Sequence, residues 1–110
     1  MADFIKGDVV VVPFPFSDLS EAKKRPAFVV ANLAGDDLIL CQITSQNIKD
    51  SYSIPIDDEH FEAGSLNRKS NIRPNRLFTA DKKIIFYKVG HLKKEKTTEI
   101  IRKIIGILEK

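Results

Sequence analysis

Residues 7–31, GDVVVVPFPFSDLSEAKKRPAFVVA, constrain the fold more than any other part of the chain. Four consecutive valines, Val9 to Val12, sit between Gly7 and Pro13. A β-branched run of that length is stiff at χ1 and fits a strand buried on both faces. Pro13 and Pro15 lack a backbone N–H, so they are expected to end the strand. A polar loop over residues 16–25 follows and delivers Lys23, Lys24 and Arg25 to the start of a second strand over 26–32.

The rest of the chain continues in short pieces. Gly35, Asp36 and Asp37 form a tight-turn signal that predicts a hairpin between the second strand and a third over 38–44. Residues 52–56 alternate weakly and read as a short strand. Residues 57–71 are irregular, and Pro74 excludes a helix there. Residues 76–79 and 84–89 read as strands, with Gly90 closing the section. From residue 93 to 109 the period changes: Thr97, Ile101, Ile104, Ile105 and Leu108 recur at helical spacing, and Ile100 and Ile107 broaden the stripe. Gly106 weakens that helix by roughly 1 kcal/mol relative to alanine. The expected architecture is mainly β with a C-terminal helix: a small bent antiparallel sheet or barrel capped by that helix, in a single domain spanning 1–110.

Composition excludes more than it identifies. A net charge of +3 is too mild to indicate nucleic acid, but the charge is patterned. Residues 67–83 carry Arg68, Lys69, Arg73, Arg76, Lys82 and Lys83 against Asp81 alone, while Asp57, Asp58, Glu59 and Glu62 form an acidic stretch. Cys41 is the only cysteine, so no internal disulfide forms. That fits a reducing cytoplasm, and a buried thiol fits its apolar run. No run reaches membrane-spanning length, so the expected location is cytoplasmic. His60 and His91 stand in no metal-ligand spacing, so no metal or cofactor is expected. No nucleophile has a triad context, and no Gly-rich phosphate loop is present.

What remains is Arg25 with the hydroxyl pair Thr44 and Ser45. Pro26 holds Arg25 in an extended backbone, and its guanidinium is a planar fork suited to two phosphate oxygens. If strands two and three form an antiparallel hairpin, Arg25 and Thr44 share one edge. From spacing alone the same residues also fit a solvated turn and a strand cap.

The opening block resembles that of the PemK/MazF toxins of bacterial toxin–antitoxin pairs. The resemblance continues through QITSQ (42–46), GSLNRKSNIRPNRLFT (64–79) and KVGHL (88–92), in the family's order. It implies an SH3-like barrel of the PemK/MazF–CcdB type and a homodimer. It implies a metal-independent endoribonuclease that cuts single-stranded RNA at short sequences, leaving a 2′,3′-cyclic phosphate. It also implies inhibition by a cognate antitoxin, with operator DNA bound only by the toxin–antitoxin complex. By position, Arg25 and Thr44 match the family's catalytic arginine and threonine. Glu21 lies near a family glutamate in a loop one residue shorter than in some members.

On this reading Arg25 leads and Thr44 assists, with Glu21 and Ser45 as possible support. Lys23 and Lys24 hold the RNA backbone, and Gln46 and Asn47 offer amides to unpaired bases. Phe16 is a candidate stacking group, and Arg73 a further RNA contact beside Ser70. Glu21, His60 or water are the candidates for general base. The alternatives are a toxin of the same fold that binds a protein such as gyrase, a non-catalytic nucleic-acid-binding module, and a structural partner-binding domain.

Overall fold

The computed structural model describes residues 3–13 and 23–110, together with the backbone of Phe14. Seven strands form one antiparallel sheet in the order β4-β6-β3-β2-β1-β7-β5. They are β1 (Asp8–Phe14), β2 (Lys23–Asn32), β3 (Asp37–Thr44), β4 (Ile54–Ile56), β5 (Phe61–Gly64), β6 (Ser70–Asp81) and β7 (Tyr87–Leu92). Helix α1 (Lys94–Leu108) follows. No helix among the described residues is long and apolar enough to cross a membrane.

The valine run is buried from both sides, as its composition requires. Val9 joins a cluster with Phe28, Cys41, Ile43, Ile72 and Leu92, which Ile100 and Ile104 of α1 cover. Val10 and Val12 join a second cluster with Ala27, Val29, Leu38 and Leu40. Each fully buried side chain of this kind contributes about 1.5–3 kcal/mol. Register breaks in the β1–β7, β2–β3, β3–β6 and β5–β7 pairs increase twist and curl the sheet around these clusters. The edge strands β4 and β5 are only 3 and 4 residues long, and β4 carries a proline, which blunts edge-to-edge pairing.

The structure departs from several sequence expectations. Strand β1 runs through Pro13, which pairs with Lys24. The Val11 carbonyl accepts from Phe86 N–H on the β7 side. Two residues on, the Pro13 nitrogen points the same way, beyond the end of that pairing at Val11↔Tyr87. Its missing donor therefore costs no ladder bond. Lys23, Lys24 and Arg25 belong to β2, opposite Phe14, Pro13 and Val12, and not to a loop.

Strand β6 begins at Ser70 and passes through Pro74. The register jumps from Cys41↔Leu77 to Gln42↔Arg73, so Pro74 sits in a bulge where no ladder donor is needed. Residues 82–84 form a 3₁₀ turn capped by the Asp81 carboxylate, which accepts from Lys83 N–H at 2.8 Å. The strand expected over 84–89 accordingly starts only at Tyr87, and it continues through Gly90 to Leu92. In α1 the seam is Ile100 and Ile104. Ile105, about 100° further round the helix, and Leu108, at its end, are exposed.

Candidate active site

The geometry of the site begins with two glycines. Gly64 has φ +74°, and a Cβ there would stand 2.1 Å from the Val89 carbonyl oxygen. A Cβ on Gly90 would stand 2.4 Å from the Ala63 oxygen. Only glycine lets β5 and β7 approach this closely. The chain leaving β5 therefore folds over the mouth of the sheet. There Asn67 takes φ 59°, and its N–H donates to Ser65 Oγ at 2.8 Å. Ser65 also bonds Asp58.

This segment forms one wall of a cavity of about 450 Å³. The facing wall is the start of β2 and the end of β3. Continuing the Ala27↔Gln42 register by two residues sets Arg25 opposite Thr44, and both side chains line the cavity. Arg25 is half-buried. Among the described residues no carboxylate pairs with it. Thr44 is buried, and its Oγ1 accepts from Gln46 N–H at 3.2 Å. That bond occupies a lone pair and leaves the hydroxyl proton free to donate. Arg68 Nη1 donates to Ser45 Oγ at 3.4 Å from the opposite wall.

Among the described residues, Lys24, Arg25 and Arg68 are the cations of the lining, and none of the others is Asp, Glu or His. An anion entering the cavity therefore meets, among the described residues, positive charge and hydroxyls and no acidic side chain. Lys24 Nζ also lies 5.3 Å above the Phe86 ring.

The other sequence candidates are spread around this centre. Ser45 lines the cavity, as does Ser70, which is buried. Lys23 is exposed on β2 and lies outside the lining. Gln46 is occupied at the backbone, its carbonyl accepting from Asn71 Nδ2 at 3.0 Å. Asn47 lines a neighbouring cavity and not this one. Arg73 turns away to Asp50, with Nη2 3.4 Å from Oδ2. Asp50 also accepts from Tyr52 and Ser53 N–H, both at 2.9 Å. The Ser53 bond is the main reason that its carboxyl lies below the usual range. Phe16 and Glu21 lie outside the described residues.

The sequence did not point to Tyr87, which is exposed and borders the cavity at the end of the β1–β7 pairing. No local pattern marks it. Only the bulge that sets the β7 register brings it to the rim.

His60 belongs to a different cluster. Its Nδ1 accepts from Asp57 N–H at 3.0 Å, and Asp57 Oδ1 accepts from Glu59 N–H at 3.1 Å. Asp57, Glu59 and His60 form a possible metal-ligand group among the described residues, with their ligand atoms within 4.8 Å of one another. The two capping bonds already occupy lone pairs of Asp57 Oδ1 and His60 Nδ1.

Comparison with known proteins places these features. Residues 5–108 match the family of PemK-like, MazF-like toxins of type II toxin–antitoxin systems. No curated protein matches the sequence. Among solved structures, MazF from Deinococcus radiodurans superposes with a TM-score of 0.76 at 15% identity, covering 100% of both chains. The toxin MazF-mt6 from Mycobacterium tuberculosis gives 0.70 at 14% identity, covering 91% of this chain and 93% of that one. An endoribonuclease from a mycobacterial species, solved in complex with its cognate antitoxin, gives 0.71 at 12% identity, covering 97% and 96%. These likenesses establish the bent seven-stranded sheet with its terminal helix as a MazF-like fold. The chain belongs to the PemK-like, MazF-like toxins of type II toxin–antitoxin systems.

Proposed function

We propose that the chain is a sequence-specific endoribonuclease that cuts single-stranded RNA by attack of a ribose 2′-hydroxyl on the adjacent phosphorus. The observation that carries this reading is the shared cavity of Arg25 and Thr44, lined among the described residues by cations and hydroxyls and by no carboxylate.

In the attack the 2′-oxygen forms a bond to phosphorus and the bond to the 5′-oxygen breaks, leaving a 2′,3′-cyclic phosphate and a 5′-hydroxyl. Negative charge builds on the non-bridging oxygens. Arg25 suits that charge: its planar cationic fork takes two oxygens at once. The free Thr44 proton supplies a further donor, of a kind typically worth about 2.7–4 kcal/mol of barrier when aimed at the developing charge. Lys24 and Arg68 hold the flanking backbone, and Tyr87 offers a face on which a base stacks. A proton must also leave the 2′-hydroxyl, and one from solvent must reach the departing 5′-oxygen. Among the described residues no imidazole or carboxylate lines the cavity, and Glu21, His60 and water remain the candidates for general base.

The family likeness adds partners. A D. radiodurans relative is solved as a MazE–MazF complex. By that likeness this chain is held inactive by a cognate antitoxin, and the sequence resemblance adds that it acts as a homodimer and meets operator DNA only as the toxin–antitoxin complex. Cleavage asks nothing of a metal.

The test is incubation of the purified protein, in the presence of EDTA, with single-stranded RNA, with the same oligonucleotide carrying one 2′-deoxy group at the cut, and with all-DNA. Cleavage of the first alone, ending in a cyclic phosphate and lost in Arg25→Ala, is expected. Cleavage of the deoxy-substituted or DNA strand rules out this route. Intact RNA at high enzyme excess returns the chain to a binding role.

A further inference from the structure

A second cavity, of about 350 Å³, adjoins the first. Ser45 and Ser70 line both. The strand register explains the continuity: Thr44 pairs with Asn71, and Asn71 with Pro55, so one row across the sheet leads from the Arg25–Thr44 pair to the β4 edge. One to two strand spacings, about 5–10 Å, separate Thr44 from the far side. The neighbouring nucleotide of a bound strand can span that distance.

The chemistry of this cavity differs from that of the first. Asp57 is part of its lining, and a carboxylate repels phosphate. Exposed Pro55 supplies an apolar surface. An uncharged flat group with a hydrogen-bonding edge fits better than a second phosphate.

The edge groups also have fixed polarity. Asn71 Nδ2 donates to the Gln46 carbonyl, which leaves Asn71 Oδ1 as an acceptor. His60 Nδ1 accepts from Asp57 N–H, so the proton of the neutral ring sits on Nε2. Asp57 uses one lone pair as a cap and keeps its remaining ones. The lining therefore holds both an acceptor, Asp57, and a donor, Lys69.

We propose that this cavity is a guanine-reading subsite for the nucleotide next to the scissile phosphate. Guanine alone among the four bases carries two adjacent donors, N1–H and the 2-amino group, which a carboxylate accepts together. Its O6 and N7 acceptors suit Lys69. Adenine and cytosine place a ring lone pair beside their amino group, facing the carboxylate. Uracil flanks its single N–H with two carbonyl oxygens. Each of those bases leaves a polar group of the cavity opposed or unpaired, and such a mismatch is what a hydrogen-bonding site rejects.

The inference rests on the nuclease reading of the adjacent site, so binding and cutting are measured separately. RNA pentanucleotides made uncleavable by one 2′-deoxy group at the central nucleotide carry G, A, C, U or inosine on either side of the central linkage. Fluorescence anisotropy reads their affinity. At one flanking position, guanine is expected to bind on the order of tenfold tighter than the other bases and than inosine, which lacks the 2-amino group. Asp57→Asn keeps the N-cap and offers one donor and one acceptor, the pattern that pairs with adenine. It is expected to abolish the guanine preference and raise that for adenine.

Equal affinity for all bases, or a guanine preference that Asp57→Asn leaves untouched, overturns the subsite. All-ribose versions of the same oligonucleotides are assayed for cleavage in parallel. Cutting without base preference removes the subsite and leaves the nuclease reading. Guanine-selective binding without cutting does the reverse.

Discussion

Arg25 on β2 and Thr44 on β3 stand opposite one another where the Ala27↔Gln42 ladder is continued by two residues, and both line one cavity. This pairing is a direct consequence of the hairpin at Gly35 and of the proline at position 26. Pro26 keeps the backbone of Arg25 extended, so its side chain holds its place in the row.

If that pair performs the proposed cleavage, its two members should fail differently. Thr44→Val removes the donor while keeping a β-branched shape, and is expected to lower kcat on the order of 10²–10³-fold. Arg25→Lys keeps the charge and loses the fork, so it should recover little of what Arg25→Ala loses, on the order of 10³-fold or more. Single-turnover cleavage of a fluorescent oligonucleotide measures both. Near-normal turnover in Arg25→Lys would mean that a point charge suffices.

Arg68 approaches from the other wall, where it donates to Ser45 Oγ at 3.4 Å. Its expected role is to hold the backbone. Arg68→Gln should weaken RNA binding and reduce the slope of log affinity against log salt by about one. A change in kcat with the salt slope intact would assign it to the chemical step instead.

Asp8 and His91 make a different kind of pair. Asp8 is almost fully buried, accepts from His91 Nδ1 at 2.8 Å and from Ile5 N–H at 2.9 Å, and lies 3.8 Å from Lys88 Nζ. It ties the chain before β1 to β7. Asp8→Ala leaves two part-buried donors unmatched, which water reaches in part, so a loss of about 1–3 kcal/mol is expected in urea unfolding. A shift below 0.5 kcal/mol would mean that water replaces the carboxylate.

Much of this arrangement was legible in the sequence, and the reasons are specific. The valine run, the Gly35 hairpin and the change to helical period each follow from local patterns, and the structure carries all three. The shared edge of Arg25 and Thr44 follows from hairpin geometry alone. What was not legible depends on who the neighbours are. Prolines 13 and 74 break a strand only where a ladder donor is required. At Pro13 the facing strand has ended, and at Pro74 a bulge removes the demand. Gly90 reads as a stop until β5 is seen against it. Arg73 reads as a free cation, and Asp50, 23 residues away, claims it. Tyr87 reaches the cavity rim through a register shift that no periodicity records.

The last helix carries an avoidable weakness. Gly106 lies in α1, and a Cβ there would meet nothing within 4 Å. Gly106→Ala should therefore gain about 0.5–1 kcal/mol by reducing the freedom of the unfolded chain. A higher urea midpoint with an unchanged m value checks it. A lower midpoint would show that this position needs its backbone freedom.

Cys41 links the core to pH. Its thiol is fully buried among Val9, Phe28 and Ile43, and burial pushes its pKa up. The unfolded thiol ionises from about pH 8.5. Above that value the unfolded state gives up a proton that the folded state keeps, so stability is full below it and falls as pH rises, by at most about 1.4 kcal/mol per unit. Urea midpoints at pH 7 and pH 9.5 should therefore fall further apart in the wild type than in Cys41→Ala, where this contribution is absent. Equal slopes in the two proteins would place the pH dependence elsewhere. Native protein at pH 8 should also leave a thiol reagent unreacted until urea opens the core, and immediate labelling without urea would contradict the burial.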